Sequence, residues 1–408
     1  MFNFDDYFIF PKMNTIDNVL IKGKKVLIRV DFNVPLDEEL NIIDDTRITA
    51  ALPTIKKVIN NGGIAIIISH LGRPKQGYEK KFSLKNFVGR LSELTNTVVS
   101  FCCDCIGEEA VASVEKMKLG EILVLENLRF YQEEVAGDIH FAKQLASLAD
   151  IYINDAFGTA HRAHASTAII AQFFPRKKYL GCLLIKELRF LEKALKKPKR
   201  PFTAIIGGAK ITGKIDVIRS LFEKVDNLII GGGMSYTFIK AMGGRVGKSL
   251  IEQEKVELAL QLIDEAQKKG VNLFLPIDSI NANVFNNNAI VKTSNIFKID
   301  DNFMGLDIGS KSIEKFCKII QQSKTIIWNG PMGVFEMSNF EKGTKKIGES
   351  ICLATANNSF SLVGGGDSVS ALKKYNLQNK VSYISTGGGA MLEYIEGKRL
   401  PGIVAILD

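Results

Sequence analysis

The sequence predicts an α/β protein of two doubly wound parallel-sheet (Rossmann-like) domains joined by a hinge helix. Three observations lead there. The chain has 408 residues, more than one ordinary core accommodates. Its strand-like runs are continuously apolar, and each is followed by a polar or Gly-rich turn and then a helical pattern, as in parallel sheets covered on both faces. The composition also changes near residue 200: nine of the 12 Arg lie at or before it, and 24 of the 35 Gly lie after it.

In the first half the strand runs are "VLIRVDFN", "IAIIISHLGRP", "EILVLENLRF" and "IYINDAFGTAHRAH". In the second half they are "FTAIIGGAK", "NLIIGGGMS", "NLFLPIDS", "TIIWNGPMGVFE", "FSLVGGGDS" and "SYISTGGGA". Between the halves, "IKELRFLEKALKKPKRPF" places Leu188, Leu191 and Leu195 at helical spacing ahead of Pro198 and Pro201, which reads as a helix and a stiff link. The expected boundaries are therefore 1–185, a linker at 186–200, and 201–394.

No apolar run approaches the ~18 residues of a membrane span, and "GIAIIIS" and "YLGCLLI" read as strand-length or short-helix cores. The opening "MFNFDDYFIFPKMN" lacks an early basic cluster and reads as a short extension rather than a targeting segment. Scattered cysteines suit a reducing compartment, and the group Cys102, Cys103 and Cys105 reads as a buried strand end rather than a zinc site. The net charge of +9 allows either nucleic acid or small anions as partners. A nucleic-acid surface would pair basic patches with stacking aromatics. Here the Arg residues sit in strand-end loops instead.

In doubly wound sheets, ligands bind beyond the carboxyl ends of the strands. Those loops carry Asp31 and Asn33, then His70 and Arg73, then Asn127 and Arg129, then Asp155, His161, Arg162 and His164; Arg47 opens a helix. Arg is the bidentate binder of carboxylate and phosphate. The first half is thus equipped for a compact acid, with three of the four His placed to bond a polyanion or to cap local turns. The second half offers "GGAK", "GGGM", "GPMGVFE", "GGGDS" and "STGGGA", where glycine lets backbone N–H groups approach phosphates. Asp367 is placed to meet a hydrated magnesium ion, or to cap a helix, or both.

Two near matches to the P-loop pattern fail. "GGAKITGKID" has Gly208, Gly213 and Lys214 but Ile215 where a hydroxyl belongs. "GGRVGKSL" has Lys248 and Ser249, but Met242 stands where the first Gly belongs. There is no G-x-G-x-x-G after a strand.

Taken together and in order, "RVDFNVP", "SHLGRP", "LENLRF", "NDAFGTAHRAH", "GGAK", "GPMGVFE", "GGGDS" and "STGGGA" closely resemble phosphoglycerate kinase, from about Met13 onward. The resemblance implies 3-phosphoglycerate or 1,3-bisphosphoglycerate in the first domain and ADP or ATP with Mg²⁺ in the second. It implies reversible phosphoryl transfer after hinge closure, and a cytoplasmic monomer that engages neither nucleic acid nor membrane. It also implies that 395–408 packs back on the first domain. By motif, Asp31, Asn33, Arg47, His70, Arg73, Arg129 and Arg162 bind the acid. Arg47, Lys210, Gly365 and Gly388 form the catalytic set, with Gly387 beside them. Gly208, Ala209, Lys214, Leu306, Asn329, Pro331, Gly333, Glu336, Gly366, Asp367 and Ser368 bind nucleotide, Leu306 against the adenine and Asp367 toward the metal.

The expected geometry puts Lys214 one helical turn beyond Lys210, on the same face. Gly213 departs from the polar residue usual in the family and weakens that helix start, and Ser310 replaces a usual Pro.

Overall fold

The runs of Ile, Val and Leu at Lys25–Arg29 and Ile64–Ile68 form adjacent central strands, because β-branched side chains pack on both faces and leave no polar face to hydrate. The computed structural model describes residues 14–75 and 77–408, so the expected N-terminal extension lies outside it. One compact unit runs to Arg189 and takes in Arg399–Asp408, and the other is Phe190–Lys398.

In the first unit, β1 Lys25–Arg29, β2 Ile64–Ile68, β3 Val99–Cys102, β4 Ile122–Leu125, β5 Ile151–Asn154 and β6 Lys178–Leu180 form one parallel sheet in the order 3-4-2-1-5-6. The order reverses beside β1, so the loops after β1, β2, β4 and β5 open on one edge. The helix Thr46–Asn60 covers the sheet with Ile48, Leu52, Ile55 and Ile59, buried at the three- and four-residue spacing of one helical face. The C-terminal helix Pro401–Leu407 is held to this unit by Gly402: its N–H donates to Ala160 O at 2.9 Å, and its carbonyl accepts from Asn154 Nδ2 at 3.0 Å.

The second unit contains β7 Phe202–Ile206, β8 Asn227–Ile230, β9 Arg245–Val246, β10 Asn272–Phe274, β11 Asp278–Ala282, β12 Val291–Asn295, β13 Lys298–Ile299, β14 Met304–Ile308, β15 Thr325–Asn329, β16 Phe360–Val363 and β17 Tyr383–Ile384. Its main sheet is parallel, in the order 10-8-7-15-16-17, with the reversal between β7 and β15. An antiparallel sheet of order 12-11-14 and a short β9–β13 pair are additions that the sequence reading did not contain. Trp328, Phe316, Ile326 and Ile347 centre the main core.

The helix Cys182–Leu195 begins earlier than its Leu spacing indicated. "YLGCLLI" is accordingly split between the end of β6 and the first turn of this helix. The turn is held by a distant partner: Asp155 Oδ1 accepts from Leu183 N at 2.9 Å and from Leu184 N at 3.2 Å. A Cβ at position 181 would stand 2.2 Å from that oxygen, so glycine is required there.

Candidate functional site

In the first unit the strand-end loops are tied to one another before any ligand is considered. Arg47, the second residue of its helix, sets Nη1 3.3 Å from Asp31 Oδ2 and donates to Asn33 O at 2.8 Å. Asn33 Oδ1 accepts from Gly72 N at 2.9 Å, and Arg129 Nη1 donates to Gly72 O at 2.6 Å. Asn127 pins rather than points outward. Its amide oxygen accepts from Leu71 N, and its Nδ2 donates to the carbonyls of Leu71 and Phe82, which fixes the turn carrying His70 and Arg73.

Arg29, at the end of β1, is fully buried. Its Nε donates to Ser166 Oγ at 2.8 Å, its Nη1 donates to Val30 O, and its Nη2 lies 3.2 Å from His70 Nδ1. A guanidinium has no acceptor atom. His70 Nδ1 therefore accepts, and the ring proton sits on Nε2. Burial, then the charges of Arg29, Arg129, Arg47 and Arg162, hold His70 well below the ordinary histidine range. It is a neutral donor at neutral pH.

Burial, then the neighbouring Arg162 and Arg29, push Arg129 down to about 10, and its buried Nε has no acceptor among the described residues. Burial and the same arginines take His164 down to about 4. Arg73 is exposed beside Arg129, and Arg162 Nε donates to His161 Nε2 at 3.2 Å. Five guanidinium groups thus crowd one edge, partly desolvated and mutually repelling. A multiply charged anion relieves that repulsion.

All seven expected acid-site residues come to this edge. Asp155, named among the strand-end residues, does not: it faces the helix start described above, and burial raises its carboxyl to about 7. Arg29 was missed, although its signal was present. A charge inside "VLIRV", a run expected to be buried on both faces, needs a partner and a reason.

In the second unit a cleft of about 330 Å³ is lined by Gly208, Ala209, Lys210, Lys214, Asn329, Gly330, Gly365, Gly366, Asp367, Ser368, Gly388, Gly389 and Leu392. Its walls are interlocked backbone. Gly207 N donates to Asn329 O and Gly208 N to Pro331 O, both at 2.9 Å, and Gly330 N donates to Ser368 Oγ at 2.6 Å. Gly365 has φ +95°, and a Cβ on Gly388 would stand 2.7 Å from Gly365 Cα, so neither loop admits a side chain.

Leu306, Pro331, Gly333 and Glu336 do not line this cleft. Pro331, Gly333 and Glu336 follow in the loop after β15, and Leu306 is on β14 beside it: Leu306 O accepts from Val334 N at 2.9 Å, and Leu306 packs in an apolar cluster with Ala282, Phe340, Val334 and Met337.

The lysines correct the sequence reading. Lys210 lies in a non-helical, exposed segment, Thr212–Lys214 is a 3-10 turn, and the helix starts only at Ile215. The two lysines therefore do not share a helical face. Lys214 Nζ turns inward and donates to Gly207 O and, at 3.0 Å, to Asn329 Oδ1, while burial lowers it to about 8 against the opposing pull of Asp367. Asp367 is in the first turn of the helix Gly366–Lys374, but the N-cap position belongs to Gly365 and no side chain caps it. The acid is exposed on the cleft.

The family model described as phosphoglycerate kinase matches residues 16–398. The phosphoglycerate kinase of Porphyromonas gingivalis is 53% identical, with 96% of this chain and 99% of that one covered; that of Chlorobaculum tepidum is 51% identical, with 97% and 99% covered. Among solved structures, phosphoglycerate kinase from Coxiella burnetii superposes with a TM-score of 0.86 at 40% identity, covering 97% of this chain and 99% of that one. The enzyme from Pyrococcus horikoshii gives 0.84 at 30%, covering 97% and 98%. The chain belongs to the phosphoglycerate kinase family.

Proposed function

We infer that the chain catalyses the reaction of its family, reversible phosphoryl transfer between 1,3-bisphosphoglycerate and ADP to give 3-phosphoglycerate and ATP, a step of glycolysis. The observation that carries the reading at residue level is the division of labour between an arginine edge on one unit and a glycine-walled cleft on the other. The arginine edge, with Asp31, Asn33, Arg47, His70, Arg73, Arg129 and Arg162, holds the acid. The cleft holds nucleotide phosphates on Gly208, Ala209, Lys214, Gly366, Asp367 and Ser368. The nucleoside lies along Leu306, Asn329, Pro331, Gly333 and Glu336.

No general base is needed. The acceptor is a carboxylate, already ionised at neutral pH. Transfer demands alignment and positive charge around the moving group. Arg47 and Lys210 supply that charge, and the backbone N–H groups of Gly365 and Gly388 supply donors. Asp367 is the lone carboxylate lining the cleft among the described residues. A single acid suits a magnesium ion that arrives on nucleotide phosphates and keeps its waters, rather than one held in a protein cage. When bound, that ion neutralises phosphate charge.

The two sites lie on different units, so transfer requires closure, with the motion absorbed near the end of the helix Cys182–Leu195. X-ray scattering with both ligands bound should show a smaller radius than the free protein, and equal radii would overturn the closure. We read a cytoplasmic monomer, as the family resemblance implies. No helix of the described residues is long and apolar enough to cross a membrane. The deciding experiment is direct: ATP and 3-phosphoglycerate with magnesium should yield ADP and 1,3-bisphosphoglycerate. Absence of turnover would remove the reading.

A further inference from the structure

Behind the arginine edge lies a buried carboxylate. Glu134, in the short helix Gln132–Ala136, is fully buried. Its Oε1 accepts from Ser166 Oγ at 2.6 Å and its Oε2 from Ser166 N at 2.9 Å. The single hydroxyl proton of Ser166 is therefore committed to Glu134. Its oxygen is left as an acceptor, and Arg29 Nε occupies it at 2.8 Å. The direction of every bond is fixed: Arg29 Nε–H to Ser166 Oγ, and Ser166 Oγ–H to the Glu134 carboxylate. The same guanidinium presents Nη2 to His70 Nδ1 at 3.2 Å, which leaves the His70 proton on Nε2. Glu134 Oε1 also lies 3.8 Å from His164 Nδ1. A lone carboxylate at zero exposure is costly to bury, and here the cost is offset by the arginine cluster in front of it.

We propose that Glu134 is a positioning residue for the acceptor: acting through Ser166, it sets the direction of Arg29 and with it the donor tautomer of His70, and so governs affinity for phosphoglycerate. This rests on the reading of the arginine edge as the acid site. A carboxylate is required because both donors of Ser166 converge on it. The amide of Glu134→Gln accepts only one of them and offers N–H to the other. If that N–H meets Ser166 Oγ, it competes with Arg29 for the acceptor lone pairs. The variant keeps the backbone bond from Ala165 N to Glu134 O, at 3.0 Å, so the loop itself stays tethered.

The test is steady-state kinetics of the full chain with ATP and 3-phosphoglycerate. Glu134→Gln and Ser166→Ala should each raise the KM for 3-phosphoglycerate roughly tenfold or more while the KM for ATP stays within about twofold. The double variant should be no worse than the worse single variant, because both cut one chain of bonds. A native KM for the acid in Glu134→Gln, or a parallel rise of both KM values, overturns the proposal. Should Glu134→Gln not fold, Ser166→Ala decides in the same way, since it keeps the buried charge and removes only the hydroxyl link. Arg47→Ala, run alongside, separates the two levels. If it leaves both kcat and the KM for the acid at wild-type values, the acid-site reading itself falls, and the role of Glu134 falls with it.

Discussion

In the proposed function, the two units hold anions by opposite means. On the first, affinity would reside in side chains: the guanidinium groups of Arg47, Arg73, Arg129 and Arg162 and a neutral histidine, aimed by buried partners such as Arg29, Ser166 and Asn127. On the second, it would reside in backbone: interlocked glycine loops whose N–H groups face the cleft, with the half-buried Lys214 as the cation turned inward among the cleft-lining residues. A compact acid that must be fixed at both ends suits long, forked donors. A nucleotide whose phosphates lie along a cleft suits close main chain. The difference teaches where each unit is vulnerable: the first to loss of a charge, the second to gain of a single carbon.

The strongest break on the first unit is Arg47→Ala. Its guanidinium bridges Asp31 and Asn33 O, so in the proposed reaction its removal takes away both charge at the moving group and an alignment. Turnover should fall by ~10²–10³-fold or more, while ATP binding, measured by calorimetry, stays near wild type. The matching break on the second unit is Gly388→Ala. Its new Cβ would meet Gly365 Cα at 2.7 Å and Gly365 N at 3.0 Å, backbone atoms that cannot step aside. We expect kcat/KM for ATP to drop on the order of 10²-fold with binding of 3-phosphoglycerate intact. If either variant damaged both ligands equally, the division of labour would be wrong.

Much of this contrast was legible in the sequence, and the misses share a cause. Strand-end loops rich in Arg in one half and Gly in the other can be read directly, because parallel sheets place those ends together. The partners that aim the side chains cannot be read so. Ser166 lies 137 positions from Arg29 and 32 from Glu134, and only the fold makes them neighbours. The strand β12, "VKTSN", is largely exposed and polar, so it carries no apolar period to detect. The helix once expected to run from Lys210 through Lys214 fails for the same reason. Glu252, forty positions on, takes the N–H groups of Ile211 and Thr212 and the Thr212 hydroxyl, and holds the segment out of a regular helix.

The pH dependence sharpens the comparison further. Burial puts Lys214 at about 8, below its ordinary 10.5, so its charge is present below that pH and lost above it. ATP affinity should therefore weaken as pH rises through 8, by up to roughly tenfold, and Lys214→Met should bind ATP weakly with that step abolished. Affinity for 3-phosphoglycerate should show no step there, since Arg129, which burial and the neighbouring guanidinium groups pull down, keeps its charge until about 10. Titration calorimetry of each ligand between pH 7 and 9 reads both arms.

The smallest expected effect concerns Gly213, the residue that completes the false P-loop match. It lies in the 3-10 turn Thr212–Lys214, and its φ is not among the positive values. A Cβ there would meet nothing within 4 Å. Glycine is thus required neither by space nor by backbone conformation, unlike Gly365 and Gly388, which line the cleft. Gly213→Ala should stabilise the fold by roughly 0.4–1 kcal/mol through the unfolded chain, read as a raised midpoint in thermal unfolding, with ATP affinity unchanged. A loss of affinity would mean that the Lys214 turn depends on glycine freedom, and the backbone-based reading of this unit would then extend to the turn as well as the loops.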